Sequence, residues 1–505
     1  MINSAPQGQS PDGVTQNSAT IPAEHRPGKA APDPRHAAAL DFLFRRLNYE
    51  RTASMPYRTH DPKLVRMRSL LEHLGDPHGG LPVIHVAGTK GKGSTSAMLA
   101  AMLNAAGYRT GLYSSPHLER VEERFVVGGR ECTGDELVEM VDRLRPAVET
   151  MERDASRRGA RRIGPTFFEL TTALAWLYFK RCEAELAVVE VGMGGRLDST
   201  NICRPIACVI TSISLDHTRQ LGGTTALIAR EKAGILKPGV PVISGVAAGP
   251  PRQVIEEVAR QQGCPLRTLG VDFDFRYRRP AAHAAGRALS RPRMDYHPSP
   301  SAPGRGAMTD ISLNLLGRHQ AANAAVALAT LEALVPHGWA VSEAAARTGL
   351  ARVRLPARIE LVRDDPPIVL DGAHNAASIE ALLDVLGESF PDPRRRLLVF
   401  GTTQGKDIPG MLRLLLPRFD QVIFTRYVGN PRAADPHQLA RLAREILAER
   451  KRRADQFAPL VCDEPAAAWQ AARRLATPDH LVCITGSFFL AGEMRPMLIS
   501  DAPVP

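Results

Sequence analysis

A glycine-rich loop carrying two lysines, His85-Val86-Ala87-Gly88-Thr89-Lys90-Gly91-Lys92-Gly93-Ser94-Thr95, is where this chain is best equipped to do chemistry. It follows an apolar run from Leu81 to Val86 and opens a helical apolar pattern from Ala97 to Ala106. Strand, glycine loop and helix start are the context that a phosphate-binding loop requires. The glycines let backbone N–H groups approach an anion closely. The helix start aims orphan donors and the positive end of its dipole at the same place. Lys92 can meet terminal phosphate charge, and Ser94 or Thr95 can offer a hydroxyl to a nucleotide's Mg²⁺. Gly93 separates Lys92 from Ser94, so the spacing departs from G-x-x-x-x-G-K-[ST]. A glycine turn of purely structural use is the competing reading.

Two further clusters also end apolar strand patterns. In the first, Glu190 precedes the glycine-rich stretch Val191-Gly192-Met193-Gly194-Gly195 and then Arg196-Leu197-Asp198-Ser199-Thr200-Asn201. Ligands of open α/β sheets bind beyond such strand ends, and a carboxylate there is well placed for Mg²⁺. A solvated strand-end glutamate is the bland alternative. The second cluster is Thr211-Ser212-Ile213-Ser214-Leu215-Asp216-His217, followed downstream by Arg230-Glu231-Lys232-Ala233-Gly234. A lone histidine is most often structural; its place at another strand end favours a functional role.

The elements that must position these groups alternate. Strand candidates are Leu81 to Val86, Leu186 to Val191, Ala207 to Ser212 and Val240 to Ser244. Helix candidates are Gly134 to Glu149, Phe167 to Arg181 and Pro251 to Gln262. Alternation of this kind predicts a mainly parallel sheet covered by helices on both faces. Residues 1 to 36, rich in Ser, Pro, Gly, Gln and Ala, read as a disordered tail, with helical periodicity starting at Ala37. Residues 276 to 308, rich in Arg, Ala, Pro and His, read as a surface insertion between two strands. Gly317 to Leu334 is an alanine-rich helix. A second α/β unit begins near residue 357, with strand candidates Pro367 to Leu370, Leu397 to Phe400, Gln421 to Thr425 and His480 to Thr485. The expected domains are therefore 37–350 and 351–505.

At 505 residues the chain is long enough for two domains with their own cores. Its formal charge of +11 raises the possibility of nucleic acid as a partner. Aromatic residues make up only 5% of the chain and do not interleave with the arginine runs, which argues against that partner. The seven cysteines are scattered without a CxxC pair, as expected of free thiols in a reducing compartment. The polar N-terminus has no hydrophobic signal core, and the longest apolar stretch, Leu170 to Phe179, is too short to span a bilayer. The expectation is a cytoplasmic protein without a membrane partner.

Nine segments occur in one order: AGTKGKGS, SSPHLERVEER, TFFELTTA, EVGMGGRLDSTN, SLDH, REKAGILKPG, GRHQAANAAVAL, LDGAHN and TGSFFLAGE. Together they resemble the folylpolyglutamate synthase/dihydrofolate synthase family of the Mur ligase superfamily, over roughly residues 38 to 495. The resemblance implies a P-loop ATPase domain with a mainly parallel sheet and a smaller Rossmann-like C-terminal α/β domain. It implies an ATP-dependent amide ligase that joins L-glutamate to a pteroate or folate carboxylate through an acyl phosphate, acting as a monomer. Carried over residue by residue, Gly88, Thr89, Lys90, Gly91, Lys92, Gly93 and Ser94 match the triphosphate cradle. Ser115 and Glu190 match ligands of a first Mg²⁺, and His217 matches a ligand of a second. Lys232 matches the lysine that the family carbamylates, which turns a cation into an oxygen donor for that second metal; a buried structural lysine is the alternative. Asn323, Arg358 and Asp371 match nucleotide contacts. His374 and Ser487 match the region receiving glutamate. Ser114, Ser115, Pro116 and His117 match the pterin loop, with Arg124, Phe167 and Phe168 as neighbours; core packing competes for at least one of the phenylalanines.

Two positions depart from the family pattern. Lys90 stands where an asparagine is usual, adding a cation to the loop, and Ala376 replaces a proline after DGAHN. Two rival readings stay open on the sequence. One is a Mur-type ligase acting on a cell-wall precursor, against which the SSPHL and REKAGILKPG stretches count. The other is a non-catalytic nucleotide-binding protein, whose only support is the basic charge.

Overall fold

The computed structural model describes residues 33–48, 50, 63–157, 164–216, 218–281, 289–298, 306–390, 395–449 and 457–500. Residues 1–32, most of the expected tail, and His217 lie outside this set. Helix starts earlier than its periodicity indicated, because Pro34 sits at the first helical position and the Asp33 side chain caps Arg35 N; the helix runs Pro34–Phe44.

Eight strands make the first sheet: β1 (Val83–Ala87), β2 (Thr110–Tyr113), β3 (Phe125–Val127), β4 (Arg130–Glu131), β5 (Leu186–Glu190), β6 (Pro205–Ile210), β7 (Val242–Ser244) and β8 (Leu266–Thr268). Their order is β4-β3-β2-β5-β1-β6-β7-β8. From β2 to β8 every pairing is parallel, while β3 and β4 add an antiparallel edge. The central strands β1 and β5 are buried at every position, as parallel strands covered on both faces must be.

Residues 276–308 are not simply an insertion. Their ends belong to a three-stranded antiparallel sheet of β9 (Phe273–Arg278), β10 (Arg293–Pro298) and β11 (Met308–Ser312). Met294, Tyr296, Met308 and Ile311 of that sheet share a core with the helix Arg318–Leu334. The third sheet contains β12 (Glu360–Asp364), β13 (Pro367–Leu370), β14 (Arg395–Phe400), β15 (Gln421–Phe424), β16 (Leu460–Val461) and β17 (His480–Thr485), in the order β12-β13-β17-β14-β15-β16. Only β12 runs antiparallel.

The helix that positions the glycine loop is Lys92–Ala105. Met98, Leu99, Met102 and Leu103 are fully buried, and each such side chain contributes roughly 2 kcal/mol of burial. The helix Glu343–Arg352 crosses so close that a Cβ on Gly349 would sit 2.6 Å from Met102 Cα. The apolar helix Phe167–Arg181 is core, with Trp176 and Phe179 enclosed. Among the described residues no helix is long and apolar enough to cross a membrane. All seven cysteines are free.

Candidate functional site

The groups singled out above converge beyond the C-terminal ends of β1, β5 and β6, with a second set beyond β13 and β17. Gly91 begins the helix Lys92–Ala105 in the left-handed region (φ +84°). A side chain there would meet Asn323, whose Oδ1 lies 2.4 Å from where a Cβ would stand, so Asn323 braces the loop from the helix Arg318–Leu334. Thr211 Oγ1 and Ser212 Oγ donate to the Lys90 carbonyl at 2.6 and 2.9 Å, and Ser212 Oγ accepts from Lys90 N at 3.1 Å. Thr89 N donates to Ser212 O at 2.7 Å. The strand end after β6 thus fixes the loop backbone.

Lys92 Nζ lies 3.9 Å from Glu190 Oε1. Glu190 is 4% exposed, and its Oε2 accepts from Ser115 N at 3.1 Å. Burial lifts its carboxyl above the usual range, with Lys92 and the Ser115 N–H pulling it back. Lys232 is buried too, and its Nζ donates to Gly88 O at 2.9 Å. Desolvation, then the Lys92 charge, lowers its amine to about 7. Lys90 Nζ sits 3.8 Å from Asp216 Oδ2. Burial lowers the Lys90 amine while Asp216 supports its charge.

Asp371, at the end of β13, is buried and accepts from Ile359 N (2.9 Å) and Ala373 N (2.8 Å). The Arg358 guanidinium stacks 5.1 Å over the Phe488 ring. Its charge reaches Lys90, Glu190 and Asp371, so it faces the glycine loop. His374 Nδ1 contacts Gly372 O at 3.0 Å; burial, then Lys90 and Lys406, holds its ring at about 4, neutral at ordinary pH. Ser487 is buried and its hydroxyl accepts from Phe489 N at 3.1 Å, at the start of the helix Phe488–Ser500.

The loop after β2 closes the other side. Ser114 N donates to Arg124 O at 3.3 Å, and the Ser115–Pro116 peptide is cis. Arg124 is fully enclosed: Glu50 takes both its terminal nitrogens (3.0 and 2.7 Å), its Nε donates to His117 Nδ1 (2.7 Å), and its guanidinium covers the Phe167 ring. Arg124 therefore props the loop from behind. Phe167 is core. Phe168 instead lies on the glycine turn after Glu190, where a Cβ on Gly192 would stand 2.4 Å from its Cζ.

This geometry has close counterparts. The Mur ligase middle domain matches residues 160–331 and the Mur ligase glutamate ligase domain matches residues 357–488. The dihydrofolate synthase/folylpolyglutamate synthase of Mycobacterium tuberculosis is 35% identical over 456 residues, covering 87% of this chain and 91% of that one. The folylpolyglutamate synthase of Lacticaseibacillus casei is 32% identical over 463 residues, covering 90% and 99%. This chain belongs to the folylpolyglutamate synthase/dihydrofolate synthase family. Its fold matches the Mycobacterium tuberculosis folylpolyglutamate synthase complexed with ADP (TM-score 0.79, 31% identity, 93% of this chain and 99% of that one). It also matches E. coli FolC in complex with DHPP and ADP (TM-score 0.73, 32% identity, 92% and 98%).

A family ligase needs sites for a nucleotide and its divalent cation, and the residues fit both. Gly93 turns its bare Cα toward Glu190, with a Cβ position 3.5 Å from Oε2. Among the described residues the buried Thr95 hydroxyl has no hydrogen-bond partner. Among the described residues no three His, Cys, Asp or Glu side chains form a closed metal cage. Mg²⁺ keeps waters and relies on one or two carboxylates plus phosphate oxygens, and Glu190 is the buried carboxylate at this loop. Asp216, Glu50 and Lys406 complete the site's electrostatics and were not found from sequence. Asp216 stood in the right cluster, but its neighbour His217 drew the reading; Glu50 and Lys406 gave no spacing signal.

Proposed function

We propose that this chain ligates L-glutamate to the carboxylate of dihydropteroate, of a reduced folate, or of both, with hydrolysis of ATP. The observation that carries the reading is the meeting of three groups at one loop: Lys92 beside Glu190, Ser115 N on the same carboxylate, and Lys232 on the Gly88 carbonyl.

The chemistry follows from what a carboxylate lacks, which is a leaving group. A substrate carboxylate oxygen attacks the γ-phosphorus, the bond to ADP breaks, and an acyl phosphate forms. The glutamate nitrogen then attacks the acyl carbon, loses a proton, and inorganic phosphate departs. Gly88, Thr89, Lys90, Gly91, Gly93 and Ser94 wrap the phosphate chain, with the Thr89 and Lys90 N–H groups tied to Ser212 and the helix start after Gly91 aiming its donors at the anion, and Lys92 offsets its terminal charge. Asn323, Arg358 and Asp371 hold the nucleotide from both sides of the cleft. Mg²⁺, when bound, supplies the positive charge that lets one anion approach another. Ser115 and Glu190 would hold the first ion, and His217 with Lys232 the second. The Lys232 amine, lowered to about 7, has a free pair to attack CO2; one proton leaves and an anionic carbamate results. His374, neutral at working pH, with Ser487, Ser114, Pro116, His117 and Phe168, lines the substrate ends. We take 37–350 and 351–505 as the two domains that bound this cleft, and the protein as a cytoplasmic monomer.

Lys232→Ala should lose ligation while ADP still binds, and a short added carboxylate should restore part of it. The absence of a carbamate resonance at Lys232 by carbon-13 NMR in protein kept in labelled bicarbonate near pH 8 would count against the carbamate.

A further inference from the structure

The Ser114–Glu119 loop does not only line the pteridine side; it is docked on the C-terminal half of the chain. Gly492, in the helix Phe488–Ser500, meets the Leu118 carbonyl so closely that a Cβ would stand 2.2 Å from that oxygen. The Leu118 side chain packs on the core of β13, β14 and β17, with Leu370, Val399 and Ile484. One helical turn on, Arg495 donates from Nη1 to Glu119 Oε1 at 3.1 Å. Its Nε and Nη2 grip Glu360 at 2.9 to 3.1 Å. Glu360 in turn accepts from Ala357 N at 2.9 Å, the residue before Arg358. The side chains of Arg495, Glu119 and Glu360 are each about three-quarters buried, although Glu119 itself stands at the exposed end of the loop. On its own side the loop is held by the Glu123 carboxylate, which accepts from Leu118 N, Glu119 N and Arg120 N.

A planar guanidinium shared by two carboxylates fixes both in geometry as well as charge. One carboxylate belongs to the substrate loop. The other pins the turn that presents Arg358 to the nucleotide. We propose that Arg495, seated by the close approach at Gly492, is a positioning residue that latches the substrate loop to the C-terminal half and keeps water from the acyl phosphate. The proposal rests on the ligase reading. Without the latch, a water oxygen attacks the acyl carbon, the carbon–oxygen bond to phosphate breaks, the proton goes to solvent, and the carboxylate is regenerated with ATP spent.

The test compares full-length wild type, Arg495→Ala, Arg495→Lys and Gly492→Ala, using dihydropteroate, ATP and L-glutamate. Phosphate released and amide bond formed are counted in the same reaction. Arg495→Ala should release severalfold more phosphate per bond, lower kcat roughly tenfold and leave KM for ATP within about twofold. Gly492→Ala should behave alike, and Arg495→Lys should recover part of the coupling. Amide exchange over residues 114–120 with ADP bound supplies a readout independent of ligation. Faster exchange there in Arg495→Ala supports the latch, even where wild type forms no amide bond and the ligase reading has failed. Unchanged exchange, or a folded Arg495→Ala with the wild-type phosphate-to-bond ratio, overturns it.

Discussion

Glu190 shows how much one buried residue can carry. Its carboxyl is raised by burial and held by one ammonium and one backbone N–H. That is an expensive arrangement unless a cation shares it. Glu190→Ala should therefore cut ligation roughly a hundred- to a thousandfold, the magnitude for removing one electrostatic stabiliser. Circular dichroism and melting should be near wild type. Wild-type turnover in that variant would remove Glu190 from the metal site. Lys90 is one of the two positions read from the sequence as departing from the family pattern. It joins Lys92, Arg358 and Lys406 in one field, relieved by Asp216. Lys90→Asn should weaken ADP binding severalfold and flatten its dependence on salt, because a screened cation has been lost. Calorimetry at two ionic strengths would check this, and an unchanged salt slope would place the Lys90 charge outside the phosphate field.

At the scale of elements, strand ends do the assembling. The side chain of His85 on β1 reaches the turn after Glu190. Thr200 Oγ1 donates to Asp198 Oδ1 at 2.6 Å, so His85 Nε2 donates to Thr200 at 2.9 Å. Asp198 Oδ2 accepts from Met193 N at 2.9 Å. Burial, then Lys237, lowers the His85 ring to about 3. As pH falls below 6.5 the unfolded chain takes a proton there and the folded chain does not, so stability is lost on acidification. Between pH 7.5 and 5 this one group should cost about 2 kcal/mol. Chemical denaturation at the two pH values should show that loss, and His85→Gln should show a smaller one. An equal loss in both would assign the effect to other groups.

The same scale explains what was legible in the sequence. The apolar runs of β1, β5, β6, β13 and β17 were plain, because parallel strands buried on both faces read as unbroken hydrophobic stretches. β9 was hidden, although Phe273, Phe275 and Tyr277 alternate with Asp274, Arg276 and Arg278, since the arginines coloured the whole region as loop. β3 and β4 are too short to leave a period. Within the site, the glycine loop and Glu190 announced themselves by local context, and Lys232 and Asp371 only through the family resemblance. Glu50 and Arg495 did not, because their partners lie 74 and 376 positions away and exist only after folding.

Across the whole molecule, β1 and β2 of the first sheet supply the glycine loop and the Ser114–Glu119 loop. The third sheet supplies Asp371 and His374, and the turn before it Arg358. An acyl phosphate survives only where water is kept away, so a ligase needs both halves in register. The same division accounts for the surplus of cations facing the cleft, since ATP, glutamate and the acceptor all arrive as anions. The most direct measurement is phosphate release by the purified chain with ATP, Mg²⁺ and L-glutamate, with dihydropteroate in one reaction and tetrahydrofolate in another. Glutamate-dependent turnover is the predicted result, and whether one acceptor or both supports it assigns a monofunctional or a bifunctional enzyme. No turnover with either acceptor, from folded protein that binds ADP, would contradict it.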